Sequence, residues 1–174
     1  DYPGLRWRAS GNDLGWSGQV FVTEDGEDAA QAGVIGDNAE SVLEVDLEGP
    51  GVFFFSYLVE SEKDYDFLTF TIAGAEEFSE SGTVSWTRKS LLIPEGMHTR
   101  SWRYQKDGSQ AEGSDTAWLD QVLWLPQGSS RYQQWVNLYF SPDQQADPNF
   151  GGQGGDPDGD GRGNLEEYAL GSEP

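Results

Sequence analysis

Residues 52–59 read VFFFSYLV, and this stretch decides the fold class. Its aromatic and β-branched residues follow Gly49-Pro50-Gly51 and are typical of a central strand in a β-sheet. Other strand patterns recur at a spacing of roughly ten residues, with turn-forming residues between them. They lie at residues 20–23, 41–47, 67–72, 84–87, 91–93, 98–105 and 117–125. Together they predict an all-β fold for residues 1–127, an antiparallel jelly-roll β-sandwich.

The predicted second domain, residues 128–174, has a different character. It follows the linker QGSS, whose serines are candidate caps for a helix that ends near Phe140. Residues 141–155 are rich in Pro, Asp, Gln and Gly and are predicted to be irregular. A second short helix is predicted at residues 165–170, closed by Gly171. This domain is therefore expected to be a short helical tail.

The tail contains DPDGDGRGNLEE, residues 156–167, which matches the twelve-residue loop of EF-hand calcium sites. The ligand positions of that loop are occupied by Asp156, Asp158, Asp160, Arg162 through its backbone carbonyl, Asn164 and Glu167. Gly161 stands where the loop must turn sharply, and Gly163 replaces the usual branched apolar residue. Carboxylates packed so densely repel one another unless a cation is bound. The sequence thus predicts Ca²⁺ as a cofactor, held by a single unpaired loop.

Charge and composition exclude several functions. The formal net charge is −21, from 31 acidic and 10 basic residues, which argues against nucleic-acid partners and favours cation binding or a solvated acidic surface. The chain has no Cys, which removes thiolate chemistry and most structural zinc sites. No apolar run approaches the ~20 residues of a membrane span, so no membrane insertion is expected. Asp1 opens directly into polar sequence, and we expect a mature chain or an excised fragment.

Several longer phrases resemble a β-sandwich module of secreted bacterial proteins. They are EDGEDAAQAGVIGDNAES (24–41), GPGVFFFSYLVESEKDYDFLTFTIAG (49–74), SGTVSW (81–86), HTRSWRYQKDGS (98–109) and GSDTAWLDQV (113–122). The module is similar to jelly-roll families that include MAM domains and the cleaved-adhesin domains of bacterial surface proteases. Residues 156–174 resemble the dockerin-like and thrombospondin-type-3-like calcium tails of secreted proteins. The resemblance implies a secreted or cell-surface domain that binds proteins or glycans and performs no chemistry.

The same resemblance implies a second metal site. Jelly-roll modules often hold a structural calcium between an N-terminal acidic turn and an Asp of the last strand. The matching positions are Asp25, Asp28 and Asp120, and Asp115 fits either this arrangement or another. An Asp within an apolar strand needs a partner, because burying it alone is unfavourable. The alternative is that Asp120 pairs with an Arg or with backbone amides at the sheet edge.

Catalysis is poorly supported, and we expect that the chain is not an enzyme. His98 is the single histidine and is interpreted as a structural residue at a strand start. No Ser lies in the context of a nucleophile elbow. The 31 acidic residues supply many pairs of carboxylates for glycoside hydrolysis, but nothing in the sequence singles out one pair.

The candidate ligand-binding residues are Trp16, Asn12 and Arg103. Trp16 lies in NDLGWSG, residues 12–18, and an exposed loop Trp beside amide groups is typical of a sugar-stacking site. The alternative is a Trp folded over one end of the sandwich. Arg103 lies close to the turn QKDG and is expected to add polar contacts.

These features predict a non-catalytic, calcium-binding accessory module of a larger secreted bacterial protein. Its expected partners are that parent multidomain protein and a polysaccharide or cell-surface ligand. Two alternatives stay open. One is a protein–protein or adhesion module appended to a secreted protease, and the other is a structural spacer stiffened by calcium.

Overall fold

Strands make up most of the first of two units into which the chain divides. The computed structural model describes residues 5–126, 131–170 and 173–174, and its units are Leu5–Trp124 and Leu125–Pro174. The strands are β1 (Arg6–Gly11), β2 (Ser17–Gln19), β3 (Ala29–Gln31), β4 (Glu40–Glu60), β5 (Phe67–Ile72), β6 (Ala75–Ser81), β7 (Thr83–Gln105) and β8 (Thr116–Pro126). The helices are α1 (Arg131–Tyr139), α2 (Pro142–Ala146) and α3 (Asn164–Leu170). Within the described residues, none of them has the length and apolar character of a membrane-spanning helix.

β4 and β7 are long strands that build two layers instead of one. Residues 40–49 of β4 pair with residues 96–105 of β7, whereas residues 51–60 pair with residues 83–93. The first half of β4 also pairs with β1 on its other edge, so β8 must lie beside the second half. β5 and β6 extend the first layer, and β3 and β2 extend the second. These two antiparallel layers, which share β4 and β7, confirm the predicted β-sandwich fold class.

The core of the first unit is an aromatic cluster between the layers. Phe53 and Phe55 belong to the second half of β4, whereas Phe70 and Trp102 belong to the other layer. The ring centroid of Phe55 lies 4.9 Å from that of Phe70 and 5.1 Å from that of Trp102. All four side chains are fully buried. Alternation along VFFFSYLV therefore directs every second aromatic ring into the sandwich, as the period of a strand requires.

The predicted strand at residues 20–23 is wrong. β2 ends at Gln19, whose side chain holds the following residues in a turn. Its Nε2 donates to the carbonyl of Val22 (2.7 Å), and its Oε1 accepts from the backbone N–H groups of Phe21 (2.7 Å) and Val22 (2.9 Å). These side-chain bonds compete with ladder pairing. As a result, Phe21 is 90% exposed.

The predicted strand boundaries also fail where long strands bend. β4 continues through Gly49-Pro50-Gly51, where the sequence predicts a stop. β7 joins three predicted segments, 84–87, 91–93 and 98–105, into one strand. β1 and β6 are additional strands that the sequence analysis did not predict. β6 is rich in acidic residues, yet its Phe78 ring stacks on Tyr57 at 4.7 Å and closes the core.

Gly49 is required at the bend of β4. It pairs with Gly96 of β7, and a Cβ added to it would lie 1.9 Å from the carbonyl oxygen of Pro94. Because that obstacle is backbone, we expect Gly49→Ala to lower the free energy of unfolding by about 1–3 kcal/mol. Denaturant unfolding measures the effect. Gly18→Ala is the control, since a Cβ at Gly18 meets nothing within 4 Å. Equal unfolding free energies for the two variants would contradict the expectation.

The second unit is organised by α1 and α3, which correspond to the two predicted helices. Tyr168 of α3 packs against Tyr132 and Trp135 of α1, with ring centroids 5.5 Å and 6.0 Å apart. Aromatic edge-to-face contacts of this kind stabilise helix pairs beyond simple burial. The candidate cap serines and the closing Gly171 lie outside the described residues.

The expectation of an irregular segment at residues 141–155 is wrong for α2. Ser141 is its N-cap, and its hydroxyl accepts from the backbone N–H of Gln144 (3.3 Å). In return, the side chain of Gln144 accepts from the backbone N–H of Ser141 (2.8 Å). Pro142 occupies the first turn. This capping box with an N-terminal Pro is a recognisable sequence signal that predicts a short helix.

Candidate calcium loop and ligand-binding residues

Three carboxylates of the predicted loop converge in the second unit. Asp156, Asp158 and Asp160 each offer an oxygen, and these oxygens lie within 4.8 Å of one another. All three side chains are exposed. Water reduces the mutual repulsion of these carboxylates, and a bound cation would neutralise it. The predicted first, third and fifth ligands are therefore adjacent in the structure.

Backbone N–H groups of the loop donate hydrogen bonds to these carboxylates. Asp156 accepts from the backbone N–H groups of Gly159 (2.9 Å) and Gly161 (3.0 Å), and Asp160 accepts from that of Arg162 (2.8 Å). Gly161 has φ = 90°, in the left-handed region that glycine adopts without strain. The sharp turn predicted at the sixth loop position is thus present.

Glu167 lies on α3 and is 1% exposed, in contrast to the aspartates. Burial raises the pKa of its carboxyl group, and the negative charges of Asp158, Asp160 and Asp156 raise it further. Arg162 acts in the opposite direction as the weakest contribution. The carboxylate of Glu167 is consequently within electrostatic range of all three aspartates. A cation shared with them would offset both the desolvation and the repulsion.

Asn164 is fully buried at the start of α3. Its Nδ2 donates to the carbonyls of Phe150 (2.6 Å) and Gly152 (2.7 Å), which ties the loop to the preceding segment. Its Oδ1 is buried and has no hydrogen-bond partner among the described residues. A buried acceptor without a donor is unfavourable, and a metal ion or a metal-bound water would satisfy it. The residues present therefore fit a calcium ion.

The second predicted metal site is not assembled by its three residues. Asp120 of β8 is 1% exposed, and its carboxylate accepts from the backbone N–H groups of Glu24 (2.6 Å) and Gln121 (2.6 Å). Asp25 accepts from the side-chain amide of Gln121. Within the described ranges, Asp25, Asp28 and Asp120 do not form a group of cation size. Backbone amides satisfy both oxygens of the Asp120 carboxylate, as the alternative interpretation of Asp120 expects.

The exposed sugar platform predicted at Trp16 is also absent. Trp16 is 7% exposed, and its indole N–H donates to the carbonyl of Ser41 (3.1 Å). Asn12 and Arg103 lie close by, since Asn12 accepts from the backbone N–H of Glu40 (2.7 Å) and Arg103 pairs with the Glu40 carboxylate at 3.8 Å. The three predicted residues therefore surround the start of β4. Of these three residues, only Asn12 and Arg103 are exposed.

A small pocket opens beside the buried Trp16. Its volume is ≈ 190 Å³, and its walls are mostly apolar. Trp7 of β1, Ala30 of β3 and Leu119 of β8 contribute to it. Pockets for drug-sized ligands usually measure about 300–1,000 Å³, so this one suits a single sugar ring or one apolar side chain. Trp7 is not among the predicted ligand-binding residues, although Arg6-Trp7-Arg8 shows the polar–apolar alternation of a strand.

Comparisons with known proteins support the β-sandwich fold but do not assign the chain to a family. No family model matches the chain, and no curated protein does. Among solved structures, the chain is similar to the secreted serine protease VesC from Vibrio cholerae, with a TM-score of 0.58 and 16% identity over 72% of this chain. The chain spans 25% of VesC. It is also similar to the K3 cleaved adhesin domain of Lys-gingipain from Porphyromonas gingivalis, with a TM-score of 0.52 and 12% identity over 69% of this chain and 91% of that domain. At such low identity, these similarities establish a shared β-sandwich fold.

Proposed function

We propose that this chain is a calcium-binding accessory module of a larger secreted bacterial protein. The observation that carries the proposal is the convergence of Asp156, Asp158 and Asp160, whose carboxylate oxygens lie within 4.8 Å of one another, at the start of the helix that carries the buried Glu167. Carboxylates gathered this closely repel one another, and a bound cation offsets that repulsion. Asn164 adds a buried oxygen that has no hydrogen-bond donor among the described residues. Calcium accepts such a set of hard oxygens, with the Arg162 carbonyl as a further ligand.

Calcium would order the second unit. The loop connects α2 to α3, and α3 contributes Tyr168 to the aromatic contacts with α1. Neutralising the loop carboxylates lowers the free energy of the folded arrangement but not that of the unfolded chain. Binding is therefore coupled to folding of this segment. A single unpaired loop is expected to bind in the range of roughly micromolar to millimolar.

A calorimetric calcium titration of the full chain tests this proposal. We expect saturable binding in the wild type and its loss from the loop in Glu167→Gln, while Glu166→Gln retains it. Glu166 is exposed on the same helix, so it controls for the change of charge. Unchanged binding in Glu167→Gln would exclude the loop as the site.

A polysaccharide is the ligand we propose for the first unit, because the pocket beside Trp16 combines two indole rings with apolar walls. Indole faces and apolar surfaces pack against the C–H face of a sugar ring. Asn12 and Arg103 lie near the start of β4 and outside the lining of the pocket, so they would contact sugar units that extend beyond it. The resemblance to jelly-roll modules supports the same ligand class. A protein–protein or adhesion module and a calcium-stiffened spacer remain the alternatives.

Gly18→Leu should abolish polysaccharide binding without destabilising the fold. Gly18 lines the pocket, and a Cβ there meets nothing within 4 Å, so a leucine side chain can be added without a clash and is expected to narrow the pocket. Affinity electrophoresis in gels containing xylan, galactan or laminarin measures retention. Gly36→Leu is the matched control because Gly36 does not line the pocket. Retention that survives Gly18→Leu would place the ligand elsewhere, and retention by none of the gels would favour a protein partner.

A further inference from the structure

A second group of carboxylates lies in the first unit, far from the loop in sequence. Glu62, Asp66 and Asp107 each offer an oxygen, and these oxygens lie within 4.8 Å of one another. Glu62 and Asp66 belong to the turn between β4 and β5, and Asp107 follows β7. The backbone N–H of Asp66 donates to the carbonyl of Glu62 (3.1 Å), which forms one helical turn. That turn places both carboxylates on one side of the segment.

Burial distinguishes this group from an ordinary acidic surface. Glu62 is 6% exposed and Asp66 is fully buried. In the described part of the chain, Glu62 Oε2 and Asp66 Oδ2 are buried without a hydrogen-bond donor. The other oxygen of Asp66 accepts from the backbone N–H of Asp107 (2.9 Å). Two ligand-capable oxygens are thus desolvated and directed at a third carboxylate, an arrangement that is unfavourable unless a positive charge joins them.

The neighbouring lysine does not supply enough positive charge. Lys106 Nζ is 3.4 Å from Asp66 Oδ2, but it also binds the carboxylate of Asp115 and donates to the carbonyl of Gln110 (3.2 Å). One ammonium group therefore serves Asp66 and Asp115, and within the described residues it forms no ion pair with Glu62. Burial raises the pKa of Glu62, and the charges of Asp107, Asp66 and Glu112 raise it further. The charge of Lys106 does lower the pKa of Glu62, but this is the weakest of the contributions to that pKa.

We propose that Glu62, Asp66 and Asp107 bind a calcium ion at the end of the sandwich where the β4–β5 turn meets the segment after β7. Carboxylate oxygens are the ligands that Ca²⁺ prefers, and its coordination is completed by backbone carbonyls and water. The ion would add a further connection between the β4–β5 turn and the segment after β7, which are already joined by the bond from the Asp107 N–H to Asp66 and by the Lys106–Asp66 ion pair. This proposed site shares no ligand with the loop site or with the predicted set Asp25, Asp28 and Asp120.

The test is an NMR titration of the full ¹⁵N-labelled chain, from chelator to ~10 mM CaCl₂, which exceeds the ~0.1–1 mM dissociation constants of weak extracellular sites. We expect amide shifts at residues 61–66 and 107 as well as in the loop at 156–167. In Glu62→Gln the first set should appear only at a higher calcium concentration while the second set is unchanged, and in Glu167→Gln the opposite is expected. Affinity at the first set should fall on the order of tenfold or more in Glu62→Gln.

Two controls separate binding from folding. Asp64→Asn removes a carboxylate from the same turn without touching the cluster, and Asn tolerates the positive φ of 68° at that position. We expect it to keep both sets of shifts. In chelator, Glu62→Gln should melt at the same temperature as the wild type or higher, because it removes an unpaired buried charge. The proposal is overturned if calcium leaves residues 61–66 and 107 unmoved, or if their shifts reach half of their amplitude at the same calcium concentration in Glu62→Gln as in the wild type.

Discussion

Replacing Glu167 with Gln is expected to abolish the protection that calcium gives to residues 141–165 against proteases. In chelator, the wild-type segment should be cut readily, because it has few large apolar side chains to offset the entropy of ordering. With calcium, the loop should close and hold α3 on α1. Gln has the shape of Glu but carries no charge and one oxygen fewer. The bidentate ligand at the twelfth loop position is then lost.

Limited proteolysis followed by mass spectrometry measures this effect, with calcium and with a chelator. Glu166→Gln is the control, since it changes the net charge equally and affects an exposed neighbour on the same helix. It should behave as the wild type does. Identical cleavage of the wild-type segment in both conditions would refute calcium-dependent ordering. Equal loss of protection in the two variants would assign the effect to net charge instead of ligation.

The backbone geometry of the proposed calcium loop was predictable because its hydrogen bonds are local. Asp156 accepts from Gly159 and Gly161, and Asp160 accepts from Arg162, so the loop geometry is encoded within a few residues. The burial of Glu167 was not predictable from the motif. It depends on how α3 packs in the second unit, which the spacing of ligands does not specify.

The strands were predictable to the extent that one face of each is apolar. The stretch VFFFSYLV predicted the central strand, and its alternating aromatic rings are part of the core. The continuation of β4 past Gly49 depends on its partner strand, because both halves of β4 pair with the same strand, β7. β6 was not predicted because its acidic residues obscure the apolar pattern around Phe78. The Phe78 ring contacts Tyr57 across the sandwich and Phe70 of the neighbouring strand β5.

Long-range pairing also explains the errors at individual sites. The sequence around Trp16 predicts an exposed loop residue. In the structure its indole N–H donates to the carbonyl of Ser41, and the ring is buried. Likewise, Glu62 and Asp107 belong to segments that are remote in sequence. They meet because β5, which follows the turn of Glu62, pairs with the end of β7, where Phe67 lies opposite Gln105. Residue type and spacing alone do not reveal contacts of this kind.

Trp102→Ala is expected to have the largest effect on the stability of the first unit. Trp102 is fully buried, and its ring lies 5.0 Å from Phe70, 5.1 Å from Phe55, 6.0 Å from Phe53 and 5.9 Å from Trp7. Truncation removes these contacts and leaves a cavity that the paired strands cannot close. Substitutions of this type lower the free energy of unfolding by about 3–5 kcal/mol.

Denaturant unfolding followed by far-UV circular dichroism measures this loss without relying on the deleted indole. Leu92→Ala is the control, because Leu92 belongs to the same strand and is 83% exposed. Exposed truncations usually change stability by less than about 0.5 kcal/mol. Trp102→Phe should fall between the two, since a smaller ring keeps part of the packing and also removes an indole N–H that is buried without a hydrogen-bond partner in the described ranges. If Trp102→Ala proved as stable as Leu92→Ala, the two layers would not be held together by this aromatic cluster.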